Sequence, residues 1–392
     1  MKIMSMNAGS SSLKFSLFDM DTKELLANGL FERIGMETSK YKIKYGDEKV
    51  EQEVELKDHK DAVEILLDKL VALGIVNSLS EIGGVGHRVL HGKDKYKESV
   101  VVTDEVIEDI KVFSPLGPLH NPANALGMEA VKAVLPDVPM TAVFDTTFHQ
   151  TMEPERFLYP VPYTWYSEYG VRKYGFHGTS HAYIAKTCKE LFGKNKKIIS
   201  CHLGNGSSLC AIKDGKCIDT SMGFTPLAGV MMGTRSGDVD PSIIPYVMEQ
   251  AGMSAGEVVN ALNKQSGFLG ISCYSSDSRD VEDKAAEGDE KCILAHNMMV
   301  NTVADYAARY FVELGGADVL VFTAGIGENA AGVRADIIEK LAPLGIKLDI
   351  EANKTRGEIK KISADSSTVE VYVIPTNEEL MIAEETLRLI TR

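Results

Sequence analysis

The stretch KIMSMNAGSSSL, Lys2 to Leu13, returns in the second half of the chain as KIISCHLGNGSSL, Lys197 to Leu209. Lys2/Lys197, Ile3/Ile198, Ser5/Ser200 and Gly9/Gly204 coincide at a constant shift, and one added residue then brings Ser11-Ser12-Leu13 onto Ser207-Ser208-Leu209. The shift is half the chain, so we expect two related domains, each opening on a strand, a Gly/Ser turn and a second strand. Lys2–Met6 and Leu13–Asp19 are the predicted strands of the first copy, around a turn at Ala8–Ser12. A turn of this kind offers successive backbone N–H groups to an anion. It lacks the G-x-x-x-x-G-K-[ST] spacing of a P-loop, and an apolar strand rather than a helix follows. Two such turns facing across a cleft would hold a chain of phosphates from both sides; ligand-free hairpins are the alternative.

Size and charge narrow the field. A chain of 392 residues is too long for one ordinary core. Its net charge of −14 argues against nucleic acid or an anionic membrane as a partner, because both need an exposed basic face. An anionic substrate must then be drawn in by a local cluster of Arg and Lys. The six cysteines contain no C-x-x-C pair and read as free thiols. No signal-peptide core follows Lys2, and no apolar run approaches the ~18 residues that span a membrane. The expected location is the cytoplasm.

Strands alternate with helices, which predicts an α/β protein. Asp58–Leu73 has the stripe of an amphipathic helix, with Val63, Leu66, Leu67, Leu70 and Val71 in register. Val138–Phe144 is a predicted strand that delivers Asp145 at its carboxyl end. Val319–Phe322 is a short buried strand, followed by the loop Gly325–Asn329 and a helix to about Leu341. Val369–Ile374 is a strand broken by Pro375-Thr376-Asn377. A helix Glu378–Ile390 follows, with Thr376 and Glu379 spaced as a capping box.

A nucleotide clamp needs N–H donors for phosphates, a cation, and a carboxylate to place Mg²⁺. Ser10, Ser12, Asn205 and Gly206 lie on the two turns, with Lys14 nearby. Asp145 and Glu378 each follow a predicted strand, at the end where open α/β sheets bind ligands. For Glu378, a helix N-terminus that favours negative charge is an equally good explanation. Arg235 stands in the Gly-rich segment Gly233–Gly237, and Arg88 ends the apolar segment of GHRVLHG. Either arginine alone reads as a surface ion pair, but two in Gly-flanked loops of an acidic protein point to an anion. His177 and His181 have the i,i+4 spacing of a zinc helix. No Glu follows His177 as H-E-x-x-H requires, so hydrogen bonding to transferring charge is the better reading of His177.

Assembled, NAGSSSLKF, GHRVLHG, SPLGPLHNPAN, FDTTFHQTM, YGFHGTSH, CHLGNGSSL, SMGFTPLAGVMMGTRSGDVDP, SSDSRD, FTAGIGEN and IPTNEELMIA resemble the acetate kinase family over nearly the whole length. The resemblance implies two duplicated ribonuclease-H-like domains, the actin-like ATPase fold, around a central nucleotide cleft. Their expected limits are 1–147 plus 381–392, and 148–380. It implies reversible phosphoryl transfer from ATP to acetate, giving acetyl phosphate and ADP, with propionate or butyrate as the alternative acceptor. A pyrophosphate-dependent relative and a nucleotide-switch protein with no acyl substrate are more distant alternatives.

By resemblance, Asp145, Arg88, His177 and Arg235 are catalytic. Ser10, Ser12 and Lys14 approach the phosphates, and Asn7 and Glu378 hold Mg²⁺, with Mn²⁺ as a substitute. His202, Leu203, Gly204, Asn205 and Gly206 line the nucleotide, together with Asp277, Ser278 and Arg279, and with Gly325, Ile326, Gly327, Glu328 and Asn329. The acetate methyl sits against Leu90, Leu119, Phe176 and Pro226, with Arg88 on its carboxylate. The family is typically homodimeric. The chain departs from the pattern where Leu90 replaces Val, Lys93 replaces a second Gly after Gly92, and Cys273-Tyr274 replaces a Gly-Val pair. Leu90 narrows the expected pocket in favour of acetate.

Overall fold

A computed structural model describes every residue except Leu119 and Arg392, and divides the chain into two compact units. The first holds Met1–Phe148 and Asn377–Arg392, the second His149–Thr376. The expected limits put residues up to 380 in the second domain, whereas the whole terminal helix Glu378–Ile390 lies in the first unit.

The first unit is built on an eight-stranded sheet in the order β5-β4-β3-β2-β1-β6-β8-β7. Its strands are β1 (Lys2–Gly9), β2 (Ser12–Asp19), β3 (Glu24–Glu32), β4 (Lys40–Tyr45), β5 (Glu48–Glu53), β6 (Ile82–Val89), β7 (Val100–Val101) and β8 (Met140–Phe144). The second unit carries a six-stranded sheet, β11-β10-β9-β12-β14-β13. Here β9 is Ile198–Leu203, β10 Ser207–Lys213, β11 Lys216–Thr220, β12 Val319–Thr323, β13 Lys360–Lys361 and β14 Glu370–Val373.

The repeat in the sequence becomes a repeat in topology. In the first unit β1 pairs antiparallel with β2, β2 antiparallel with β3, β1 parallel with β6 and β6 parallel with β8. In the second, β9, β10, β11, β12 and β14 make the same pairings in the same order. Antiparallel hairpins need only tight turns, whereas each parallel step needs a long crossover. Both predicted hairpin strands run further than expected, so that Ser10 and Ser11 alone form the first turn.

Beneath the first sheet, helix His59–Ala72 buries Ala62, Val63, Leu66, Leu67 and Leu70, capped by the Asp58 carboxylate accepting from Asp61 N–H. Val71, expected on the same stripe, is exposed. Each Leu buried in this way contributes roughly 1.5–3 kcal/mol. The terminal helix docks on the first sheet because β6 offers no side chains where they meet. A Cβ on Gly84 would lie 2.8 Å from Ile390 Cδ1, and one on Gly86 would lie 2.6 Å from Ile382 Cγ2. A buried hydroxyl pair, Thr141 and Thr386 at 2.7 Å, fixes the register of helix on sheet. The predicted capping box does not form. Asn377 caps the helix through Leu380 N–H, while Thr376 turns away to Ser180 and its N–H goes to Glu328.

Candidate active site

In the first unit the close docking of the terminal helix sets Glu378 beside the carboxyl ends of β6 and β8. Arg88 is the penultimate residue of β6, and Asp145 follows β8, its N–H bonded to Val89 C=O at 2.9 Å. Arg88 grips Asp145 with two bonds, Nε to Oδ1 at 3.0 Å and Nη2 to Oδ2 at 2.7 Å. Asp145 is only 1% exposed and Arg88 is 24% exposed, so the fork is held from the inside and open on the outside. The Asp145 charge raises the Arg88 pKa further and keeps the guanidinium ionised. Arg88 Nη1 makes no hydrogen bond to the described residues.

Arg88, Glu378, Asn7 and Lys14 line one cavity of about 470 Å³. Burial pushes the Glu378 carboxyl up to about 7 against the pull of Arg88, with Asp145 and Glu379 adding to the rise. Glu378 and Asn7 offer carboxylate and amide oxygens, the donor types that a hard divalent cation takes, in a cavity that Arg88 and Lys14 also line. Ser10 and Ser12 remain on the β1–β2 turn and are not among the lining residues. The sequence reading missed Asn28, Lys42 and Lys44, which share this cavity. The alternating KYKIKY of β4 is the one pattern that puts both lysines on a single face. Leu90 is 8% exposed, and its side chain meets the backbone at Gly117, where an added Cβ would lie 3.0 Å from Leu90 Cδ2. Leu119 lies outside the described residues.

In the second unit the β9–β10 turn carries Gly204–Gly206. A Cβ on Gly206 would lie 2.5 Å from Arg235 Nη2 and 3.4 Å from both His177 Cε1 and Nε2. Only glycine lets an arginine and an imidazole press against the same turn. Arg235 Nη1 donates to Pro226 C=O at 2.7 Å, and burial lowers its pKa. His177 is held at φ 56°, ψ 26°, left-handed backbone that is strained for a side chain of this size, and it caps helix Gly178–Phe192. Its ring stacks on His202 with centroids 4.1 Å apart.

A hydroxyl–imidazole relay fixes these rings. Ser208 Oγ lies 2.9 Å from His177 Nδ1 and 2.8 Å from His181 Nε2, and His181 Nδ1 lies 2.9 Å from Ser200 Oγ. Burial, then His149 and His202, drive the His181 pKa far down, so it stays neutral. Both rings of HGTSH are therefore engaged with serines. Phe176 is buried against the same region and Pro226 is half-buried.

The three loops expected around a nucleotide line one cavity of about 760 Å³: Gly204 and Asn205, Asp277–Arg279, and Gly325, Ile326 and Asn329. His202, Leu203, Gly206, Gly327 and Glu328 are not on its wall. Gly325–Asn329, expected as a loop, is part of a short helix Ala324–Asn329. Glu328 accepts from Ala324 and Thr376 N–H groups at 2.8 and 3.0 Å, and so acts as a structural tie. Asp277 caps helix Ser278–Ala286 and forks onto Arg279 at 3.0 and 2.5 Å. Arg356 and Glu282 also line the cavity, and no motif in the sequence marks either of them.

Against known proteins, the profile of the Acetokinase family matches residues 2–384. The acetate kinase of Geobacillus kaustophilus is 52% identical over 99% of this chain and 99% of its own. The crystal structure of Porphyromonas gingivalis acetate kinase superposes with a TM-score of 0.95 at 42% identity, covering 100% of both chains. That of a propionate kinase from Francisella tularensis gives a TM-score of 0.94 at 43% identity over 99% of each. With a family match across nearly its whole length, joined to duplicated sheets and a Gly/Ser turn in each, the chain belongs to the acetokinase family.

Proposed function

We propose that the protein transfers the terminal phosphoryl group of ATP to acetate, reversibly and in line, giving acetyl phosphate and ADP. The observation that carries the reading is the meeting of Arg235 and His177 on Gly206, a buried cation and an imidazole at a backbone turn suited to phosphate. The new bond joins a carboxylate oxygen to the phosphorus, and the bond from phosphorus to the bridging oxygen of ADP breaks. Acetate has a carboxyl pKa near that of glutamate, about 4.3, so it arrives ionised and needs no general base.

The chain's task is to hold two anions together. Arg88 turns its outer Nη1 edge to the acetate carboxylate, while Asp145 fixes the guanidinium in one orientation. Asp145 is thus a positioning residue acting through Arg88. Arg235 and His177 meet the phosphoryl oxygens as charge builds on them. The serine relay favours this when Ser200 O–H donates to His181 Nδ1, His181 Nε2–H to Ser208, and Ser208 O–H to His177 Nδ1. His177 then presents Nε2–H beside Gly206. Asn7 and Glu378 would hold Mg²⁺, with Mn²⁺ as a substitute, and the ion would neutralise charge on the phosphate chain. Ser10, Ser12 and Lys14 serve the phosphates, and the cavity lined by Gly204, Asp277 and Asn329 takes the nucleoside.

Leu90 serves as the floor for the acetate methyl, and Phe176 and Pro226 are the further apolar residues assigned to it. Propionate is the competing acceptor, since the Francisella protein is described as a propionate kinase. We further read the chain as a cytoplasmic homodimer. Helix Ile243–Ala251 is apolar yet has no buried residue, and Ile243 and Tyr246 are exposed, a face that a second copy would cover. Among the described residues no helix is long and apolar enough to cross a membrane.

The reading is tested with purified protein, MgATP and acetate. ADP release should equal acyl phosphate trapped as hydroxamate, and both should vanish without a carboxylic acid. ATP turnover that ignores the acid would sink the proposal.

A further inference from the structure

Outside the residues assigned to phosphoryl transfer, His149, Cys210 and Cys217 converge in the core of the second unit. All three are fully buried, and their donor atoms lie within 4.8 Å of one another. Cys217 Sγ is 3.2 Å from His149 Nδ1 and 3.5 Å from Cys210 Sγ. The approach depends on a backbone irregularity. The β10–β11 register slips between Ala211 and Ile212, so Cys217 rather than Ile218 stands opposite Ile212. That slip turns Cys217 onto the face that Cys210 already occupies.

The histidine is prepared as a ligand. Its Nε2 lies 2.9 Å from Phe176 C=O, which can only accept, so Nε2 carries the proton and Nδ1 keeps its lone pair toward the sulfurs. A backbone carbonyl on the far nitrogen is the usual outer partner of a metal-bound imidazole.

We propose that His149, Cys210 and Cys217 hold a d¹⁰ divalent cation of the zinc class. Zinc–sulfur and zinc–nitrogen bonds of ~2.3 and ~2.0 Å set tetrahedral edges of about 3.7 and 3.5 Å. The two gaps at Cys217 therefore open by only a few tenths of an ångström, and His149 Nδ1 and Cys210 Sγ, within 4.8 Å of each other, settle at the same edge length. Two thiolates neutralise the divalent ion, and no net charge is left in the dry core. Binding releases one proton from each thiol to solvent and none from His149. The ion would tie the β10–β11 hairpin to the segment whose Phe176 precedes His177, and so brace Ser208 and His177 together.

The full chain, reduced and exchanged into metal-free buffer, is dialysed against zinc and then passed over a desalting column. The expected result is one zinc per chain and a raised thermal midpoint. With Co²⁺ as the probe, a thiolate-to-metal charge-transfer band should appear. Cys210→Ser and Cys217→Ser should each lose the band and at least tenfold in affinity, whereas Cys188→Ser, a buried thiol elsewhere, should keep both. Because a core variant can misfold, the wild-type cobalt spectrum stands as an independent test. Less than a tenth of an equivalent of zinc in folded wild-type protein, or no charge-transfer band, overturns the proposal. So does the loss of two hydrogens' mass on isolation, which would assign the pair to a disulfide.

Discussion

Replacing Arg88 by alanine should unsettle the fold before it is assayed as a catalyst. Asp145 is 1% exposed, and both carboxylate oxygens are satisfied by Arg88, at 3.0 and 2.7 Å. Removing the guanidinium strands a buried charge, which costs about 3–5 kcal/mol when one partner of a buried pair is deleted. Arg88→Lys keeps the charge but loses the two-pronged geometry, and should cost about 1–2 kcal/mol. The informative variant is the double one. Arg88→Ala with Asp145→Asn removes the stranded charge and should restore at least about 2 kcal/mol relative to Arg88→Ala alone, a coupling that separates the pair from its surroundings. Activity should behave oppositely: each variant loses about 10²–10³-fold in kcat, and the double gains nothing back. Urea denaturation of ligand-free protein followed by circular dichroism measures the first, and hydroxamate trapping the second. A cost below about 1 kcal/mol for Arg88→Ala, or no recovery in the double variant, would refute the argument that the pair is an internally held fork.

Other consequences are as direct. Burial lowers the His87 pKa from 6.5 to about 3, so its stabilising effect is complete above pH 6.5 and is lost as pH falls toward 3. The loss runs at about 1.4 kcal/mol per pH unit, and His87→Leu should flatten that limb of a stability–pH curve. Lys93 and Cys273, the two sites expected to be glycine, both have left-handed backbone, at φ 54° and 55°. Lys93→Gly and Cys273→Gly should therefore leave the thermal midpoint unchanged or raise stability by up to about 1 kcal/mol, and a clear loss would count against strain at these turns. Gly206→Ala must displace the Arg235 guanidinium, so kcat should fall at least tenfold with the urea midpoint nearly unchanged; normal turnover would remove Gly206 from the site.

The parts of this molecule that could be read from sequence are those where one residue type has one physical use. The Gly/Ser turns, the apolar strand that ends at Asp145, and the helix from Glu378 each follow from local pattern, and their elements lie within a few residues of expectation. What stayed hidden depends on partners far apart in sequence. Thr376 and Glu379 have the spacing of a capping box, yet Thr376 has a better partner in Ser180, so Asn377 takes the cap. Glu328, which the resemblance sets at the nucleotide, ties two backbone N–H groups far apart in sequence, and no local pattern shows that. Lys42, Lys44 and Asn28 meet the Arg88 cavity only because β3 and β4 extend the sheet, and nothing local announces that pairing. The His149–Cys217 approach was equally illegible, since it turns on a one-residue register slip.

Phosphorylation of acetate at this site is tested by comparing initial rates of acyl phosphate formation from acetate, propionate and butyrate with MgATP. One methylene in an apolar pocket is worth ~1–3 kcal/mol, or about 10–200-fold in kcat/KM. Acetate should be preferred by a factor of that size, and the preference should shrink when Leu90 is replaced by valine. A preference for propionate that survives in Leu90→Val would contradict it.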